Sequence, residues 1–190
     1  SSLNEIFWPD KEEDKAKNLK GVTISNLRKT LLELDGIRLV YDKGIFKIEI
    51  DDTLCFCDYF NLHIHLATHP QSCEYFLPIW ERGKLLENIE HSLFDKYKQR
   101  SEDTILSLLP KDLPVYYQHN EYRYVLRICF IILNRDPLNE RALMYSVRCY
   151  KKMNDFENLS KIYSAFIIEY RKSMGEDYTQ TIEDLLQEES

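Results

Sequence analysis

Basic side chains concentrate near the start of the chain, interspersed with asparagine, serine and threonine. Between Lys15 and Lys47 the sequence has eight lysines and arginines and only three acidic residues. Lysine and arginine neutralise phosphates, whereas asparagine and serine can hydrogen-bond to base edges in the major groove of DNA. The segment is therefore predicted to bind DNA. The residues expected to neutralise phosphates are Lys15, Lys17, Lys20, Arg28 and Lys29.

A second group of chemically competent residues follows, in which cysteine and histidine crowd together and could hold zinc. His63 and His65 are two residues apart in a segment predicted to be helical, which places them about 200° apart around the axis. They cannot both bind one ion. His65 and His69 could pair with Cys73 and one upstream thiol, but we favour ordinary helix and core residues and predict no metal. The full cluster is Cys55, Cys57, His63, His65, His69 and Cys73.

Motifs of enzyme active sites are missing from the sequence. It has no G-x-S-x-G, Walker A or G-x-G-x-x-G motif, and its five glycines leave little material for phosphate-binding loops. Paired acidic residues are frequent among the 32 acids, and such pairs usually lie at solvated helix ends. We therefore predict that the chain is not an enzyme, with no catalytic residue and no cofactor.

The average composition hides the basic segment. The whole chain of 190 residues has a net charge of −7, which argues against a generally basic nucleic-acid-coating protein. Residues 15–47 carry +5, however, so the remainder carries −12. No run approaches the roughly 18 to 20 apolar residues of a membrane span. Five irregularly spaced cysteines without a secretion signal are typical of reduced thiols, which predicts a cytoplasmic protein.

The elements that must position the basic residues are a helix and a hairpin. Apolar residues at helical spacing predict a helix over residues 15–34 that ends at Gly36, with Asn18, Ser25 and Lys29 on the side opposite the apolar stripe. Two β-branched and aromatic runs, 37–41 and 45–50, predict a hairpin with a three-residue turn at 42–44. A helix followed by a hairpin is typical of the recognition helix and wing of a winged helix-turn-helix. The apolar stripe comprises Ile24, Leu27, Leu31 and Leu34.

The rest of the chain is predicted to be all helical, with helices near 58–69, 76–99, 101–109, 115–118, 121–134, 139–152, 155–174 and 178–188. Four apolar or aromatic positions recur 34 residues later, which is the period of the tetratricopeptide repeat: Tyr122, Val125, Cys129 and Ile132 correspond to Phe156, Leu159, Tyr163 and Phe166. Aromatic residues follow this repeat, and they either fill the core or line a ligand or partner groove. The predicted polar members of such a groove are Tyr117, Arg123 and Arg127.

Three stretches resemble a known family. Residues 5–10 read EIFWPD, residues 22–31 read VTISNLRKTL, and residues 39–48 read LVYDKGIFKI. This series resembles the winged helix-turn-helix of response regulators. The later stretches CDYF at 57–60 and MGEDY at 174–178 resemble the helical bacterial transcriptional activator domain. Their combination is similar to the antibiotic-regulatory-protein (SARP-like) type of transcriptional activator, in which a small sheet and a first helix precede the recognition helix. The resemblance therefore implies a winged domain truncated at its N-terminus.

The resemblance also implies which residues face DNA and what the chain does. We expect a mainly α protein, with a partial winged helix-turn-helix over residues 1–52 and an all-α tetratricopeptide-like domain over residues 53–190. The expected function is that of the C-terminal region of a bacterial transcription regulator that binds double-stranded DNA. Its helical domain is expected to contact RNA polymerase, an effector or a second copy of the chain. The alternative is a tetratricopeptide-type interaction module without DNA binding. The residues implied to face DNA are Thr23, Ser25, Asn26, Arg28 and Lys29, with Lys43 at the wing tip.

Overall fold

The computed structural model describes residues 3–55, 57–59, 62 and 74–187. The chain divides into two compact units, residues 1–64 and residues 65–190, which we call the hairpin unit and the helical unit. The described architecture is mainly helical, with one antiparallel hairpin followed by a helical domain, and this confirms the predicted fold class. The functional division predicted after residue 52 stays a prediction. No helix in the described ranges is long and apolar enough to cross a membrane.

The hairpin unit begins with two helices, α1 (Leu3–Phe7) and α2 (Glu13–Leu31). Helix α1 ends just before Pro9, as expected from the restriction that proline places on the preceding residue. Helix α2 has acidic residues in its first turn and basic residues in its last turn, which matches the helix dipole. Its predicted end was wrong, because α2 stops at Leu31 and Leu34 lies beyond it with 49% of its surface exposed.

Strands β1 (Ile37–Asp42) and β2 (Ile45–Ile50) form the antiparallel hairpin. The predicted three-residue turn was wrong, because Asp42 pairs with Ile45 and leaves only Lys43 and Gly44 in the turn. Both turn residues have positive φ, 47° at Lys43 and 84° at Gly44, which is the requirement of a type I′ turn. Such a turn matches the right-handed twist of the strands, and here a lysine accepts the left-handed conformation.

The hairpin unit has little buried surface. The register places Leu39 opposite Ile48 and Tyr41 opposite Phe46 on one apolar face. Among the described residues of this unit only Ala16 and Leu62 are buried hydrophobics. Helix α2 packs against α1 and β1. The shape of this unit therefore depends on local backbone structure as much as on a core.

The helical unit consists of α3 (Leu77–Trp80), α4 (Asp95–Gln118), α5 (Tyr122–Leu133), α6 (Glu140–Lys152), α7 (Phe156–Met174) and α8 (Ile182–Leu186). Single 3-10 turns lie at Glu74–Phe76 and Ser92–Phe94. Helices α4 to α7 each pack against the next, and α6 also packs against α4 and α8. Helix α6 therefore packs against four of the other described helices, α4, α5, α7 and α8.

Several predicted helix boundaries were wrong in the helical unit. The segment 76–99 is not one helix, because α3 ends at Trp80 and turns follow, with Leu86 at a φ of 51°. The helices predicted at 101–109 and 115–118 are a single helix, α4, that contains Pro110 and Pro114. The helix predicted at 178–188 is only α8. The helix predicted at 58–69 falls mostly outside the described residues.

The 34-residue repeat corresponds to helices α5 and α7. Val125, Cys129 and Ile132 are buried in α5. Their counterparts in α7 include Leu159 and Phe166, which are also buried. The core continues through α6 with Leu143 and Val147, and asparagine and aspartate side chains cap the N-termini of α6 and α7.

Candidate nucleic-acid interface

Helix α2 has one packed side and one exposed side. Ala16 is buried and Ile24, Leu27 and Leu31 are half-buried, so these residues define the packed side. The three residues predicted to lie opposite are all exposed, and the 100° step per residue places them about 160° to 200° from Leu27. We call these three residues the polar stripe; they are Asn18, Ser25 and Lys29.

Most of the other residues predicted to contact DNA are exposed on α2, but one is not. Lys15, Thr23, Asn26 and Arg28 are exposed. Lys20 is half-buried, because it lies four residues after Ala16 and seven before Leu27, which puts it on the packed side of the helix. The sequence contained this information in its i, i+4 spacing. The structure therefore does not bring Lys20 to the polar stripe.

Ion pairs leave the cations near the stripe accessible. Lys15 Nζ lies 3.0 Å from Glu12 Oε2, and the two side chains are 70% and 78% exposed. Pairs of this kind contribute about 0 to 1 kcal/mol and exchange readily with other partners. Lys43 is exposed at the tip of the hairpin, beside Gly44, which has open space at its Cβ position. A phosphate can therefore approach both lysines.

The base of the hairpin is fastened by a network of local contacts. Gly36 has a φ of +81°, and a Cβ there would lie 2.9 Å from Leu54 Cβ and 3.0 Å from Cys55 Sγ. Cys55 Sγ donates a hydrogen bond to Asp35 O at 3.0 Å, and Asp51 N donates to Gly36 O at 2.7 Å. Only glycine fits this site. The contacts hold the base of the hairpin beside the segment that leaves α2.

The Asp51 carboxylate extends the same network. It accepts hydrogen bonds from Thr53 N at 3.0 Å and Thr53 Oγ1 at 2.6 Å. The hydrogen bond from the Thr53 side chain lowers the pKa of Asp51 below its ordinary value, and the bond from the Thr53 backbone lowers it further. The carboxylate therefore stays charged at neutral pH and keeps the turn after β2 in place. None of these residues was predicted as a positioning residue, because their contacts join positions up to twenty apart.

The cysteine and histidine cluster is only partly within the described residues. Cys55 and Cys57 are half-buried, whereas His63, His65, His69 and Cys73 lie outside the described residues. Within the described ranges no group of three or more histidine, cysteine or acidic side chains is arranged to hold a metal ion.

The helical unit contains a groove of about 880 Å³, lined by α6, by the end of α4 and by residues 180–187. Tyr117 lies in it, as predicted, and its ring contacts Tyr145 edge-on at a centroid distance of 5.5 Å. The structure does not bring Arg123 or Arg127 to this groove. Arg127 instead forms a bidentate ion pair with Glu81, with Nε–Oε1 at 2.6 Å and Nη2–Oε2 at 2.9 Å.

Two arginines that sequence reasoning missed line the groove. Arg148 Nε donates to Leu185 O at 2.9 Å, and its Nη2 donates to Gln187 O. Arg141 is exposed seven residues earlier, so both side chains lie on one face of α6. Their i, i+7 spacing was visible in the sequence, but the position of residues 180–187 against α6 was not.

The acidic residues of the groove take part in internal hydrogen bonds. Asp184 accepts from Thr181 N at 2.8 Å and from Thr181 Oγ1 at 2.7 Å in a capping box, and these bonds lower its pKa. Burial raises the pKa of Tyr178 to about 12, with a further contribution from Glu140. The groove can therefore offer the exposed guanidinium group of Arg141 to a partner.

The chain was compared with protein families, with curated proteins and with solved structures. It matches no family model, and no curated protein and no solved structure is significantly similar to it. The described architecture defines the class only as a helix with a hairpin followed by a stack of antiparallel helices.

Proposed function

We propose that the chain belongs to a cytoplasmic bacterial transcription regulator of the SARP-like type. The single observation that carries this proposal is the exposed polar stripe of α2, followed at once by a hairpin with Lys43 at its tip. Helix α2 packs its apolar side against the unit and presents asparagine, serine and lysine on the other side. That arrangement suits a helix in the major groove of double-stranded DNA.

In this proposal the residues have separate roles. Asn18, Ser25 and Asn26 hydrogen-bond to base edges and supply sequence preference, while Lys29 and Lys43 contact phosphates and supply affinity. Lys15 and Arg28 lie at the margins of the helix face and contact the sugar-phosphate backbone, whereas the exposed Thr23, four residues before Leu27, lies nearer the packed side. The helical unit contacts RNA polymerase, an effector or a second copy of the chain, and the chain is not an enzyme.

The proposal is tested by titrating fluorescently labelled duplex DNA with the chain at two salt concentrations. We expect weak binding that falls steeply as salt rises. The double variant Lys29→Glu, Lys43→Glu should weaken binding at least tenfold and lower the slope of log K against log salt by about 2, because each lost phosphate contact contributes about 0.9.

A matched variant with the same change in net charge is Lys111→Glu, Lys152→Glu. Both lysines are exposed in the helical unit, so this variant should bind DNA almost as the original chain does. Absence of salt-sensitive binding by the chain would contradict the proposal.

A second candidate function is a tetratricopeptide-type interaction module without DNA binding. The groove on α6 favours it, because Arg141 and the Tyr117–Tyr145 pair offer both charge and aromatic surface to a partner. If the partner is a second copy of the chain, light scattering after size-exclusion chromatography tests this function. If the chain is a dimer that Arg141→Glu dissociates, and if DNA is not bound, the second candidate replaces the first.

A further inference from the structure

Helix α2 carries one strongly exposed apolar side chain among its polar ones. Val22 is 60% exposed, and it lies four residues after Asn18, three before Ser25 and seven before Lys29. These are the spacings that bring side chains to one helix face. Val22 therefore lies within the polar stripe, whereas Ile24, two residues further on, belongs to the packed side.

The surface around Val22 is open. A Cβ at the adjacent Gly21 would have none of the described neighbouring atoms within 4 Å, so the helix surface next to Val22 is open among the described residues. A single exposed valine is ordinary on a protein surface. Its place between residues that suit base edges and phosphates is what requires an explanation.

The chemistry of the major groove supplies that explanation. Thymine is the base that presents a methyl group there, on C5, and an apolar side chain in contact with it distinguishes thymine from the other three bases. Asparagine, serine and lysine cannot make this contact favourably. An isopropyl group in the middle of a polar stripe can do so without disturbing the hydrogen bonds of its neighbours.

We propose that Val22 determines sequence specificity by contacting the C5 methyl group of a thymine in the major groove. This inference rests on the proposed function, because it requires α2 to lie in that groove. This contact distinguishes thymine from the other bases at one base pair, whereas Lys29 and Lys43 increase the affinity for DNA of any sequence.

The test uses the full chain and a duplex obtained by selection from a random library. Each thymine of the selected duplex is replaced in turn by 2′-deoxyuridine, which differs only in lacking the methyl group. We expect one replacement to weaken binding by the original chain about threefold to fivefold, which corresponds to one buried methyl group. With Val22→Ala the same replacement should change binding by less than about 1.5-fold.

The matched control is Leu54→Ala, which removes an apolar side chain that is 65% exposed and lies after the hairpin. This variant should keep the full deoxyuridine effect. Binding that tolerates every thymine replacement, or a replacement effect that Val22→Ala leaves intact, overturns the role of Val22 while the proposed function stands. Failure of the chain to select or bind any duplex overturns both.

Discussion

The two units of the chain reach their structures by different means. The helical unit has a continuous core in which side chains such as Leu109, Ile128 and Leu143 are fully buried. The described part of the hairpin unit buries only Ala16 and Leu62 among its hydrophobic residues. Close packing therefore defines the first, whereas turn chemistry and backbone hydrogen bonds define the second. The hairpin unit therefore has much of its surface available for a partner.

Exposed apolar residues can be compared between the two units in the same way. On the hairpin, Tyr41, Ile45 and Ile48 are each more than half exposed, although Tyr41 stacks on Phe46 with ring centroids 4.7 Å apart. In the helical unit the repeat helices α5 and α7 bury side chains such as Ile128, Ile131 and Leu159, although Phe130, Phe156 and Ile168 are more than half exposed. Among the described residues, exposed apolar side chains therefore occur in both units, but most of the buried hydrophobic residues lie in the helical unit.

The largest expected effect tests the core of the helical unit. Leu143→Ala removes a fully buried side chain from the cluster that joins α6, α7 and α8. The free energy of unfolding should fall by about 2 to 5 kcal/mol, because a cavity remains where the side chain was. Urea unfolding followed by circular dichroism measures it.

The matched variant in the other unit is Ile24→Ala, whose side chain is only half-buried. We expect it to cost about 1 kcal/mol or less, since it removes less apolar area from water. Equal losses in the two variants would remove the contrast between the units.

The next effect tests whether turn chemistry defines the hairpin unit. Gly36 and Gly44 both have positive φ, but only Gly36 has neighbours within reach of a Cβ. Gly44→Ala should cost about 1 to 2 kcal/mol from the left-handed backbone alone. Gly36→Ala should cost about 1 to 3 kcal/mol more, because its Cβ must displace Leu54 and Cys55.

Hydrogen exchange of the β1 and β2 amides measures both variants, since backbone pairing of the hairpin protects these amides. Faster exchange with Gly36→Ala than with Gly44→Ala is the expected order. The reverse order would mean that the contacts at the hairpin base contribute little to holding it.

The contrast between core packing and turn chemistry also explains which elements could be predicted from the sequence. Apolar periodicity predicted α5, α6 and α7 almost to the residue, because core packing and helix period agree there. The hairpin strands were also predicted, but its turn was not, since a lysine at positive φ has no signal in residue type. The single helix α4 was missed because prolines inside a helix, here Pro110 and Pro114, normally predict a break. The buried Leu109 and Leu113 hold this helix together despite them.

The candidate sites followed the same rule. The polar stripe was predicted because it depends only on the period of one helix. The same period accounts for the half-burial of Lys20, although Lys20 was predicted to contact DNA. The groove on α6 and the pairing of Arg127 with Glu81 depend on which distant segments meet. Local patterns carry no information on such contacts.

The smallest expected effect compares one ion pair from each unit. Arg127 holds Glu81 by two hydrogen bonds and joins the end of α3 to α5, and these bonds lower the pKa of the Glu81 carboxyl group. In the hairpin, Arg38 lies 3.5 Å from Glu49 across the strands, with side chains 80% and 53% exposed. We expect Glu81→Gln to cost about 0.5 to 1 kcal/mol at pH 7 and Glu49→Gln less than about 0.5 kcal/mol, because exposed pairs are screened by solvent.

The pH dependence of that difference has a definite sign. Because folding lowers the pKa of Glu81 below its ordinary value of 4.5, the stabilisation is fully present above pH 4.5 and is lost as the pH falls through the folded-state pKa. Urea midpoints of the original chain and of Glu81→Gln should therefore differ at pH 7 and converge in more acidic solution. A difference that persists unchanged in solution acidic enough to protonate Glu81 in the folded chain would mean that Glu81 acts through packing rather than through its charge. The stability of the helical unit would then come from the packing of its core and not from this ion pair. The two units would differ more in how they are stabilised than the ion pair suggests.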